Sequence, residues 1–200
     1  MTTIFNSGIQ HILYLFYQQK KQSVHLREIS RKTGLSGRGL LHHLQILEQE
    51  KILSSHKQGN MKLYTIVPTK KTFAFFTFFD TEKEKTLTQR RKDALSAYIH
   101  ILPEQPIFAI LFGSTAKGTA KEESDVDILI ITNKKIQTKE AEKEADVLYA
   151  IKVSTFQMVY KDFLNELKLK EDMVVQSAIK TGFPLLNHIA YYEALYNEGI

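Results

Sequence analysis

A glycine-serine turn set between two apolar runs constrains this chain more than any other stretch of it. Residues 107–112 are apolar throughout, Phe112-Gly113-Ser114-Thr115-Ala116-Lys117-Gly118 interrupts them, and Ser124-Asp125-Val126-Asp127-Ile128-Leu129-Ile130 opens a second run. Short apolar runs bounded by glycine read as buried strands, so the segment predicts strand, turn, strand. Side chains alternate along a strand, so Asp125 and Asp127 project from one face of the sheet. A charged pair inside an apolar strand is costly unless a partner neutralises it. Two carboxylates suit a divalent cation, while Gly113 lets a phosphate approach the backbone and Ser114 offers it a hydroxyl and an N–H. That combination points to phosphoryl or nucleotidyl transfer.

In order and spacing, Gly113, Ser114, Ala116, Lys117, Gly118, Ser124, Asp125 and Asp127 resemble the signature of the DNA polymerase beta-like nucleotidyltransferases, above all the minimal nucleotidyltransferases of bacteria and archaea. The resemblance implies a small mixed sheet flanked by helices. It implies a magnesium-dependent enzyme, Mn2+ serving in place of Mg2+, that takes a nucleoside triphosphate such as ATP and moves a nucleoside monophosphate to a hydroxyl. It further implies nucleotide binding by Gly113, Ser114, Lys117 and Ser124, with Asp125 and Asp127 as catalytic residues and metal ligands. The reaction would be an in-line displacement at the α-phosphate, one ion attending each of the attacking and departing oxygens. Lys117 stands where the family often has arginine; it meets a phosphate as a point charge and not as a fork.

The family pattern also includes a third carboxylate on a later strand beside the first two. Residues 151–160 alternate as that strand should, yet they hold no Asp or Glu. Asp146 falls in a stretch that reads as helix, and Asp162 at the cap of the next helix.

Charge divides the chain unevenly. Residues 1–70 carry ten Lys and Arg against three Asp and Glu, a balance of +7, which leaves −2 for residues 71–200. Such asymmetry is the electrostatic footprint of a nucleic-acid module joined to a near-neutral domain. Within the basic third, Ile9, Ile12, Leu13 and Phe16 have the spacing of an amphipathic helix over 7–20. A second helix begins near His25 and ends at Thr33-Gly34; a third, with Ser36 as N-cap, turns Leu40, Leu44 and Leu47 inward. Residues 53–66 then read as two strands joined by Gly59-Asn60. Helix, three-residue turn, helix and basic hairpin resemble the winged helix-turn-helix domains of bacterial and archaeal transcription regulators. That likeness implies DNA contact through Ser36, Arg38, His42, His43 and Gln45 of the third helix, with Lys57 and Lys62 of the wing on phosphate. Arg38, near the helix start, is the residue for a base contact.

The aromatic run Phe73-Ala74-Phe75-Phe76-Thr77-Phe78-Phe79 suits either a homodimer contact or packing between two domains. The charged stretch from residue 80 reads as the start of one helix reaching Pro103, and Tyr191-Tyr192 as a final helix whose tyrosines serve the core or stack a base. The expected fold class is therefore α+β, with a winged helix-turn-helix over 1–70, a helical linker offering a dimerisation surface over 71–102, and a polymerase beta-like nucleotidyltransferase fold over 103–200. No run approaches a membrane span and no cysteine occurs, so a cytoplasmic protein is expected. Two functions fit the sequence. One is a nucleotidyltransferase coupled to a DNA-binding module, acting on a protein, RNA or small-molecule hydroxyl. The other is a DNA-binding regulator whose nucleotidyltransferase-like domain senses a nucleotide or acts as a scaffold.

Overall fold

The computed structural model describes residues 6–19 and 23–197; residue 20, at the end of the first expected helix, lies outside them. The architecture is α+β, with small sheets flanked by helices, and the chain divides into two compact units, Met1–Phe79 and Asp80–Ile200.

The first unit starts with α1 (Ser7–Gln19), β1 (Val24–His25), α2 (Leu26–Thr33) and α3 (Gly37–Gln49), followed by β2 (Leu53–Gln58) and β3 (Met61–Ile66). α2 ends where Gly34 takes φ 71° and returns its N–H to the Ser30 carbonyl, a left-handed stop that glycine adopts without a Cβ penalty. The chain is then free to turn within residues 34–36 and restart at Ser36, whose backbone is extended but whose side chain makes no capping bond. Ile12, Leu13, Phe16, Ile29, Leu40, Leu44 and Leu47 are all buried, and burial of each such side chain is worth about 1.5–3 kcal/mol. β2 and β3 form the expected antiparallel hairpin, with Lys57 opposite Lys62. β1 joins this hairpin unannounced by any pattern of its own, its two residues pairing with Tyr64 and Leu63 to complete a sheet of order β1-β3-β2.

The aromatic run lies on α4 (Lys70–Lys85), where Phe73, Phe76 and Phe79 are buried. Tyr17 meets Phe76 and Phe79 at ring separations of 5.5 and 5.4 Å, so these rings are used in packing α4 on α1 inside the first unit. The single helix expected up to Pro103 is instead two. α4 stops at Lys85, and α5 (Gln89–Ile101) restarts from Thr88, whose hydroxyl accepts from the Arg91 N–H. α5 also departs from the linker expected over 71–102. Ala94, Leu95 and Tyr98 belong to the core of the second unit.

That core covers one face of a four-stranded sheet of order β6-β5-β4-β7. β4 (Phe108–Phe112) pairs antiparallel with β5 (Val126–Thr132), and β5 pairs parallel with β6 (Val153–Val159) after a crossover through α7 (Lys139–Tyr149). Ala109, Leu111, Val126, Ile128 and Ile130 pack with α5 and with Ala141 and Ala145 of α7. On the opposite face Phe108 meets Tyr160 and Phe163 of α8 (Tyr160–Leu169) edge to face. With helices on both faces, β4 is buried at every residue, which explains its unbroken apolar run. α6 (Gly113–Ala116) is a single turn between β4 and β5.

After α9 (Met173–Thr181), β7 (Phe183–Leu186) runs along the free side of β4. A Cβ on Gly182 would come within 2.6 Å of the Leu111 carbonyl, so only glycine lets β7 approach there. α10 (His188–Asn197) closes the unit with Tyr191 and Tyr192 buried, the tyrosines serving the core and not a bound base. Among the described residues no helix is long and apolar enough to cross a membrane.

Candidate functional site

The end of β4 and the start of β5 meet because the antiparallel register pairs Phe112 with Asp127. The residue after Phe112 must therefore pass beside the Asp127 carboxylate. Gly113 does so at φ 71°, and a Cβ there would lie 2.1 Å from Asp127 Oδ2. The backbone conformation calls for glycine, and a Cβ would push the Asp127 carboxylate aside. From Gly113 the chain makes one helical turn, and Gly118, at φ 70°, turns it away.

The connection back to Asp125 is pinned at three places. Thr115, buried, donates its hydroxyl to the Asp125 carbonyl at 3.4 Å; Ser124 Oγ accepts from the Lys121 N–H at 2.9 Å; and Arg91 of α5 donates to the Lys121 carbonyl at 2.6 Å. Ser124, expected to bind the nucleotide, thus has its hydroxyl engaged in the turn that presents Asp125. Lys117 is exposed beyond α6, and Ser114 is half-buried within it.

Asp125 and Asp127 do project from the face opposite the α5 and α7 core, as their alternation with buried Val126 and Ile128 requires. Their environments differ. Asp125 Oδ2 receives the Lys152 ammonium at 2.9 Å and the Ser154 hydroxyl at 3.2 Å. The Asp127 carboxylate has no hydrogen-bond partner among the described residues, and burial together with the Asp125 charge pushes its pKa above the usual carboxylate value. Two like charges on one face, one of them unpartnered, suit a single divalent cation. No cluster of three His, Cys, Asp or Glu occurs among the described residues. Asp146, on α7, and Asp162, in the first turn of α8, are exposed and complete no such cluster.

Lys152 and Ser154 are the site residues that sequence reasoning passed over. β6 holds no Asp or Glu. Its signal was the two-residue alternation that aligns Lys152 and Ser154 with Asp125 and Asp127 once the parallel register is known.

In the first unit Ser36, Arg38, His42, Gln45, Lys57 and Lys62 are exposed. His43 is not on that surface. Three residues after Leu40, it turns toward α1, where a Cβ on Gly8 would strike its ring, and its Nδ1 is buried without a hydrogen-bond partner among the described residues. Lys62 is exposed but paired, with Glu48 Oε2 at 3.3 Å and the Tyr64 ring at 4.8 Å. Glu48 also accepts from the Ser55 hydroxyl.

Comparison with known proteins bears on the second unit. Residues 92–182, just under half of the chain, match the family model of the nucleotidyltransferase domain. No curated protein and no solved structure matches the chain.

Proposed function

We propose that the second unit binds a nucleoside triphosphate and moves a nucleoside monophosphate to a hydroxyl acceptor, and that the first unit is a winged helix-turn-helix domain that carries this activity to DNA. The observation behind the reading is the convergence at the end of β4. Gly113 and Asp127 approach so closely that a Cβ on Gly113 would displace the Asp127 carboxylate, bringing an open backbone turn against a pair of carboxylates. Gly113 and Ser114 would take phosphate oxygens, with Lys117 as a point charge within the same loop. Asp125 and Asp127 would hold one divalent cation, Mg2+ or Mn2+, which when bound neutralises phosphate charge and eases departure of pyrophosphate. The match over residues 92–182 supports nucleotidyl transfer in general. ATP is the reference nucleotide, and a protein, RNA or small molecule the acceptor.

DNA binding is supported by the order of elements in the first unit, a helix pair separated by residues 34–36 and followed by the β2-β3 hairpin, and by the +7 balance of residues 1–70. Arg38, exposed near the start of α3, is the residue for a base edge, and Lys57 for phosphate.

A second reading, a DNA-binding regulator that senses the nucleotide without turning it over, is favoured by one observation. Where a third carboxylate would stand, Lys152 and Ser154 contact Asp125. Incubation of the purified protein with labelled nucleoside triphosphates and Mg2+ or Mn2+ separates the two. Incorporation that disappears in an Asp125→Ala/Asp127→Ala control supports transfer. Equal lack of incorporation in both proteins, with nucleotide still bound by the wild type, supports sensing; absence of nucleotide binding refutes both.

A further inference from the structure

The parallel register between β5 and β6 pairs Val126 with Val153 and Asp127 with Ser154, and the Val126 N–H donates to the Lys152 carbonyl at 2.9 Å. Lys152 and Ser154 therefore stand beside Asp125 and Asp127, one element across. Both contact the same oxygen, Asp125 Oδ2, the lysine bringing its ammonium charge to within 2.9 Å of it. An exposed ion pair of this kind contributes little to folding. Its effect is on the local potential, for two carboxylates and one ammonium leave a single net negative charge where a set of three acids would carry three. Two divalent ions bring four positive charges, far more than this cluster offsets, and each would approach the lysine against Coulomb repulsion.

We infer that Lys152 is the standing cation of this site. It occupies Asp125 in place of a second metal ion, so the site takes one divalent cation per chain and takes it against the charge of Lys152. The inference rests on the reading of Asp125 and Asp127 as cation ligands, and it deepens that reading by fixing the metal count.

Mn2+ alone, titrated into the full-length protein without nucleotide and followed by electron paramagnetic resonance, tests it. Wild type should bind one ion. Lys152→Gln should bind one ion roughly tenfold more tightly, the order expected on removing a unit charge a few ångströms from a divalent ion in high dielectric. Lys152→Arg should match the wild type, and Lys152→Asp, which supplies a third carboxylate, should take a second ion. Two ions bound by wild type would overturn the inference. So would a Lys152→Gln affinity within twofold of wild type, or undiminished Mn2+ binding by Asp125→Asn/Asp127→Asn. Circular dichroism of each variant guards against misfolding, and if the glutamine variant fails to fold, a Lys152→Asp variant that takes no second ion would overturn the inference. Nucleotide binding is measured separately. Its absence, with the Mn2+ pattern intact, would refute the proposed transfer function while leaving the role of Lys152 standing.

Discussion

The acidic site of the second unit and the basic surface of the first are built on opposite plans. In the second unit the groups converge. Strand register sets Gly113 against Asp127 and brings Lys152 and Ser154 onto Asp125, with the two acids on one face of the sheet. In the first unit the charged groups are dispersed over a helix and a hairpin, and several are paired with acids of the same unit, Lys62 with Glu48 and Lys32 with Glu28. A convergent site should fail as a whole when one member changes. A dispersed surface should lose its members one at a time.

The largest effect should therefore come from Gly113→Ala. A Cβ there meets Asp127 and forces a left-handed backbone on alanine, at about 1–2 kcal/mol for the backbone alone, or roughly 3–6 °C in Tm. Nucleotide affinity, measured by isothermal titration, should fall by about two orders of magnitude, the cost of losing several interactions together. Retention of wild-type affinity would break the claim of convergence. Next in size, Arg38→Ala should weaken sequence-specific DNA binding about tenfold while leaving non-specific binding nearly unchanged, as read from Kd on matched and scrambled duplexes.

Smaller again, Lys57→Ala should weaken binding to all sequences by a fewfold and lower the slope of log Kd against log salt by about one. Lys62→Ala should do less than that, because Lys62 is held by Glu48 and Tyr64. A double variant with the wild-type salt slope would remove the hairpin from the DNA contact altogether.

The smallest effect concerns acid stability. His188, the first residue of α10, has a buried Nε2 without a hydrogen-bond partner among the described residues, and burial lowers its pKa below the ordinary 6.5. The unfolded chain thus binds the proton more tightly than the folded one. Stability is complete above pH 6.5 and is lost as pH falls from there toward the folded-state pKa. His188→Asn should flatten the fall of Tm between about pH 7 and pH 5; an unchanged profile would assign that fall to other groups.

The difference between the regions also governs what was legible before any coordinates. β4, β5 and the two acids were readable because a strand buried on both faces leaves an unbroken apolar run, and a charge within it stands out. β1 was not, since two residues carry no periodicity. The break before α5 did leave a mark, Thr88 as a cap, but a local hydroxyl is a weak signal inside a long polar stretch. His43 was readable from its spacing after Leu40, and it was the winged-helix likeness that placed it on the DNA surface. Lys152 and Ser154 differ from all of these. Their meaning lies in the β5-β6 register, a relation between segments that no local pattern contains.

β7 completes the hydrogen bonding of β4 with only four residues, and it begins one residue after the matched region ends at 182. Cutting the chain to that region would remove it. β4, apolar at all five positions, would then present unpaired N–H and C=O groups to solvent as an exposed edge, a template for strand addition from another copy. A trimmed domain should aggregate where the full chain stays dispersed, and the four residues of β7 act as the sheet's protection against its own most hydrophobic strand.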